Sequence, residues 1–131
     1  MDITIEFTPD PIVMPPAHLP SREIGAALEF HGIVRELENG SALAGLHYEA
    51  HEKMARRRLE QHLAELATLY PCVAIHCIHR LGWVPVGEAS LYIRILSAHR
   101  GEGIALLAAT IDRLKQDVPI WKMTQPSPPA P

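Results

Sequence analysis

A proline closes each of two helical repeats, and this pair of stops constrains the chain more than any other feature. From residue 52 onward, Ala55, Leu59, Leu63, Leu66 and Tyr70 recur at spacings of four and three, which aligns them on one helical face, and Pro71 stops the run. From residue 101 to 117, Ile104, Leu107, Ala108, Ile111, Leu114 and Val118 form a second stripe, and Pro119 ends it. The rest of the chain carries a different period. Residues 2–7 alternate polar and apolar and read as a strand, and residues 8–20, with five prolines, read as a loop. From Ile24 to Glu36 the alternation puts Ile24, Ala26, Leu28, Phe30 and Val34 on one face, with Glu29, His31 and Arg35 on the other. The turn signal Asn39-Gly40 makes residues 24–50 a predicted β-hairpin with a long loop. Residues 72–80 and 87–97 read as two further strands, joined through Gly82 and the Pro85–Gly87 region, with Leu91, Ile93 and Ile95 sharing a face. Grouped strands with helices between and after them predict an α+β fold with a mainly antiparallel β-sheet and two principal helices. No internal repeat or long linker divides the chain. One domain is expected over residues 1–125, followed by a disordered proline-rich tail at 126–131.

At 131 residues such a chain can bury a core without disulfides or metals. Its net charge of −3 speaks against a broad nucleic-acid or acidic-membrane surface and leaves room for a local basic pocket. Cys72 and Cys77 stand at an odd offset in a predicted strand, on opposite faces, and read as packing thiols of a reducing compartment. The N-terminus lacks a basic-then-apolar leader and no apolar run reaches transmembrane length, so the cytoplasm is the expected location.

Several charged residues sit where periodicity would not put them. Lys115 lies four residues past Ile111, only about 40° away on the helical wheel. Either it snorkels to water at the last helical turn, or it is a partly desolvated amine lining a pocket, suited to nucleophilic or proton-carrying work. Lys122 follows the turn at Pro119 and could return towards Lys115, either as an exposed lysine beside a packed Trp121 or as a second ammonium sharing an anion with the first. His99-Arg100 stands at a strand-to-helix junction, where backbone N–H groups and a guanidinium suit a phosphate; a polar loop pair is the plainer reading. Arg35 falls on the polar, solvated face of the first long strand. Among the eight histidines, His76, Cys77 and His79 lie close in sequence, and His47 and His51 flank a strand-to-helix junction, but no zinc-ligand spacing is completed. No phosphate-binding glycine loop and no serine-hydrolase elbow is present. The residues by themselves reach a cytoplasmic α+β domain with an Arg/His/Lys pocket for a phosphorylated anion, and no reaction.

A run of short segments in fixed order resembles the large, catalytic subunit of molybdopterin synthase, the MoaE family. They are Phe30-His31-Gly32-Ile33-Val34-Arg35, Gly40, Leu46-His47-Tyr48-Glu49, Met54, Ile78-His79-Arg80-Leu81-Gly82 and Gly87-Glu88, then Ser97-Ala98-His99-Arg100, Ile111-Asp112-Arg113-Leu114-Lys115 and Val118-Pro119-Ile120-Trp121-Lys122. The resemblance implies an α/β-hammerhead-like fold. It also implies sulfur transfer from the C-terminal Gly-Gly thiocarboxylate of a ubiquitin-like small subunit to cyclic pyranopterin monophosphate, in two steps. The assembly it implies is a heterotetramer built on a dimer of large subunits. By position, Lys115 and Lys122 match the catalytic lysines, and Arg35, His99 and Arg100 match residues around the pterin and its phosphate, the His-Arg pair acting across the dimer. No metal and no cofactor is implied, because the nucleophilic sulfur arrives on the partner.

The chain departs from the family pattern at Gly103-Ile104, at His51 and in Met123-Thr124-Gln125 with the tail that follows. That altered tail keeps open a second class of function, a non-catalytic paralogue that scaffolds a ubiquitin-like partner. Leu106 falls off the predicted stripe and is expected at a homodimer interface.

Overall fold

The computed structural model of the chain describes residues 1–16, 21–38, 40–125 and 127–129. In chain order the elements are β1 (Asp2–Thr8), β2 (Ala26–Ile33), β3 (Leu37–Glu38), β4 (Ser41–Ala42), β5 (Gly45–Ala50), α1 (Glu52–Leu69), β6 (Ala74–Arg80), β7 (Gly82–Pro85), β8 (Ala89–Ser97), α2 (Arg100–Asp117) and β9 (Ile120–Gln125). The α+β class with two principal helices is what the sequence predicts. A four-stranded sheet runs β1-β6-β8-β2, with β1 and β6 parallel and the other pairings antiparallel. A second, antiparallel sheet runs β7-β5-β9, and β3 with β4 forms a small hairpin. The hairpin turns through Gly40 at φ +80°, a left-handed conformation that costs glycine nothing.

Strand β6 turns Ile75 and Cys77, and β8 turns Ile93 and Ile95, onto one face of the larger sheet, where Ala55, Leu59, Leu63 and Leu66 of α1 cover them. Each such leucine or isoleucine, fully buried, contributes about 1.5–3 kcal/mol. His51 caps α1: its Nδ1 accepts from the Met54 backbone N–H at 3.3 Å. The opposite face of the sheet is held by polar pairs. Arg94 donates to Glu29 at 3.0 Å and to the carbonyls of Pro15 and Pro16 at 2.7 Å each, which ties the proline-rich segment to β8. The Arg94 guanidinium, helped by the Tyr92 hydroxyl, holds the Glu29 carboxyl below the usual carboxylate range.

Three expectations need correction. The hairpin over residues 24–50 does not form: β2 pairs with β8, Phe30 opposite Ile93, and only the short β3–β4 hairpin spans the turn. Helix α2 is rolled from its predicted stripe. Gly103, Leu106, Thr110 and Leu114 are buried, and Ile104 is 54% exposed. Leu106 is fully buried in the main core and is not available to an interface. The roll has a steric cause. A Cβ on Gly103 would lie 2.7 Å from both Leu28 Cδ1 and Ser97 Oγ, so the helix sits close against the sheet at its smallest residue. Finally, Gly82–Pro85 and Ile120–Gln125 are strands, not connections. Part of the predicted loop (17–20), Asn39 of the predicted turn, and Pro126, Ala130 and Pro131 of the predicted tail lie outside the described residues, and Ser127–Pro129 are exposed. Among the described residues no helix is long and apolar enough to cross a membrane.

Candidate functional site

The end of β2 begins the site. The ladder with β8 shifts register between Gly32 and Ile33, and Val34 leaves the large sheet for a second small core with Leu46 and Val84. Backbone bonds pin it there: Val34 N–H donates to Glu88 at 3.0 Å, and its carbonyl accepts from Gly87 at 2.9 Å. A bulge re-aims the side chains beyond it. Arg35, just past the end of β2, is exposed to solvent and lines a cavity of about 690 Å³ walled by both sheets and the end of α2.

Lys115 and Lys122 line the same cavity. Lys115 follows the buried Leu114 on the last turn of α2, and its own side chain is exposed, so within one chain it stands on the rim in water. Of the two readings of Lys115, the single chain matches the one in which the amine reaches water at the last helical turn. Lys122 is delivered by β9, whose register sets it opposite Tyr48 of β5. Alternation along β9 turns Ile120 and Lys122 to the cavity, and Trp121 and Met123 to the other, exposed face. Lys122 Nζ donates to Glu38 Oε1 at 2.9 Å, and Glu38 lines the cavity too. Arg35 and Lys115 have no ion pair among the described residues.

Two further lining residues were not singled out as pocket residues by the sequence. Tyr48 and His79 meet edge to face with ring centroids 5.0 Å apart. The Nδ1–H of His79 donates to the Arg80 carbonyl at 2.8 Å, which leaves Nε2 as the lone-pair nitrogen. Burial pushes the imidazole pKa below its ordinary value, against the opposing effect of that hydrogen bond, so the ring is neutral at pH 7. Alternation with Cys77 on the core-facing side of β6 was the available signal, and it points to packing as readily as to a pocket.

His99 and Arg100 lie elsewhere. His99 is the N-cap of α2 with no side-chain cap bond, Arg100 is its first residue, and both are exposed. Fifteen residues of helix, about 22 Å, separate Arg100 from Lys115. One chain thus brings together Arg35, Lys115 and Lys122 and leaves the His-Arg pair at the far end of the helix.

Chemically the cavity offers three cations, one carboxylate, the neutral imidazole of His79 and a second imidazole, His31, over apolar walls of Phe30, Leu91, Ile111 and Leu114. That suits an anionic ligand with a partly apolar body. Among the described residues no three His, Cys, Asp or Glu side chains converge as metal ligands. Burial pushes the Cys77 thiol up to about 12, far from a thiolate ligand or nucleophile.

A family model described as MoaE protein matches residues 8–117. A molybdopterin synthase catalytic subunit of Oryza sativa subsp. indica is 37% identical over 105 residues, which are 80% of this chain and 54% of that protein. The chain thus spans about half the length of that curated relative. Among solved structures, molybdopterin synthase from Staphylococcus aureus superposes with a TM-score of 0.81 at 27% identity, covering 92% of this chain and 90% of that one. A complex of subunits 1 and 2 of the molybdopterin-converting factor from Helicobacter pylori 26695 gives a TM-score of 0.66 at 27% identity, over 79% of this chain and 67% of that one.

Proposed function

The chain belongs to the MoaE protein family, and from that premise we propose that it is the catalytic subunit of a molybdopterin synthase. It takes sulfur from the thiocarboxylated C-terminus of a small ubiquitin-like subunit and places it on cyclic pyranopterin monophosphate, building the dithiolene of molybdopterin. The observation that carries this reading is the meeting of Arg35, Lys115 and Lys122 on one cavity of about 690 Å³. The ammonium groups of Lys115 and Lys122 orient the thiocarboxylate carbonyl and carry charge and protons as sulfur displaces oxygen. Arg35 holds the substrate's anionic part through its planar fork. The nucleophile arrives on the partner, so the reaction calls on no metal or cofactor of this chain. The two-subunit complex from Helicobacter pylori supports a small-subunit partner. Since α2 carries His99 and Arg100 away from their own cavity, we place them at the cavity of a second copy, in a homodimer within a heterotetramer. The reaction belongs to the cytoplasm, and residues 1–125 act as one domain.

The test is reconstitution from this chain, a thiocarboxylated small subunit and cyclic pyranopterin monophosphate, with molybdopterin measured as its fluorescent oxidation product. Product is expected from the wild-type chain, with a loss on the order of 10²-fold in Lys115→Ala while the two-subunit complex persists. A stable complex that makes no product would instead support the scaffold reading.

A further inference from the structure

The cavity contains a carboxylate that an anion-binding site would not be expected to keep. Glu38 is 22% exposed in its side chain and meets Lys122 Nζ at 2.9 Å. It comes from β3, eighty-four residues before its partner, on a strand only two residues long. Three cations line the cavity, each open to solvent. Glu38 partners one of them. Arg35 and Lys115 have no ion pair among the described residues. The two groups of cations are therefore not equivalent. An incoming anion meets Arg35 and Lys115 without displacing a resident carboxylate, whereas at Lys122 it would compete with Glu38.

We propose that Glu38 is the positioning residue of Lys122: it fixes the ammonium against β3, reserves its remaining N–H donors for the reacting end of the site, and directs the substrate's anionic group to Arg35 and Lys115. An ammonium has three donors, and the bond to Glu38 commits one, leaving two. A lysine so held acts at one place in the cavity instead of wandering over its four-carbon stem, and it cannot serve as a second phosphate holder. This rests on the sulfur-transfer reading above and adds a division of labour among its cations.

The experiment compares wild type, Glu38→Gln and Glu38→Asp in two measurements. In reconstituted turnover, Glu38→Gln keeps the shape and removes the charge. Its kcat is expected to fall roughly tenfold, as for loss of one positioned transition-state contact, and KM for the pterin to fall several-fold, because a repelling charge has gone and Lys122 is free to hold the anion. Glu38→Asp, one methylene short but charged, should recover part of kcat. In the second measurement, inorganic phosphate is titrated into the chain alone by NMR. Glu38→Gln should bind it several-fold more tightly than wild type, and Lys122→Ala added to that variant should abolish the gain. An unchanged kcat in Glu38→Gln overturns the proposal. So does a fall in kcat accompanied by a raised KM and a lowered melting temperature, which would mark Glu38 as a support of the hairpin only. Should the wild-type chain itself make no product, sulfur transfer fails as its function. The phosphate titration still decides the role of Glu38, with equal affinities in wild type and Glu38→Gln counting against it.

Discussion

His79 couples the cavity to the folding equilibrium. Burial holds its pKa below 6.5 in the folded chain, so once the pH drops under about 6.5 the unfolded chain binds more protons than the folded one. The stability it contributes is complete above that pH and is lost as the pH falls through the depressed folded value. Urea midpoints measured at pH 7.5 and pH 5.5 should therefore differ in the wild type and differ less in His79→Gln; equal pH slopes would refute the assignment. Glu29, whose carboxyl is held low by Arg94, adds its own loss only beneath 4.5. Single residues were legible in the sequence where a local rule exposed them. Lys115 stood out on the helical wheel and Lys122 by its place after a proline. Arg35 is solvated, as alternation predicts, but alternation carries no trace of the register shift at Gly32 and Ile33 beyond which it reaches the cavity. Glu38 had no local signal at all, since its partner is a residue of the last strand.

Among the elements, α1 is readable in the sequence because all its buried positions are apolar: Ala55, Leu59, Leu63 and Leu66 of the predicted stripe form the buried face, and Tyr70, the last of the stripe, is the C-cap. Helix α2 was read in the wrong phase because two of its four buried positions, Gly103 and Thr110, are not large apolar residues. The close approach that selects Gly103 is a property of the helix and the sheet together. Gly103→Ala would improve helix propensity in isolation, yet here its Cβ collides with Leu28 and Ser97. We expect a net destabilisation of about 1–3 kcal/mol by chemical denaturation, and a variant as stable as wild type would show that α2 can lift off the sheet without cost. Strand β9 was missed because six residues after a helix-stopping proline give too short a window for alternation to outweigh a turn.

For the whole molecule, the α+β class followed from the order of periodic segments, but the pairings did not. The β2 strand waits for β8, some sixty residues on, and β1 pairs in parallel with β6. No neighbouring turn announces such distant partners. The same scale governs the assembly. If His99 and Arg100 serve the cavity of a second copy, inactive Lys115→Ala and Arg100→Ala chains refolded together should recover about a quarter of wild-type turnover, because half the random dimers hold one intact site of two. No recovery, with dimers verified by light scattering, would return the His-Arg pair to a purely local role. The address of Lys122 on a strand at the edge of the smaller sheet makes the site fail in steps and not by degrees. A ladder repeats every two residues, so a slip of one position would present Trp121 or Met123 to the cavity and send the ammonium outside. Over evolutionary time, then, β9 can vary its outward letters with some freedom, but the count of residues between Pro119 and Lys122 behaves like a reading frame.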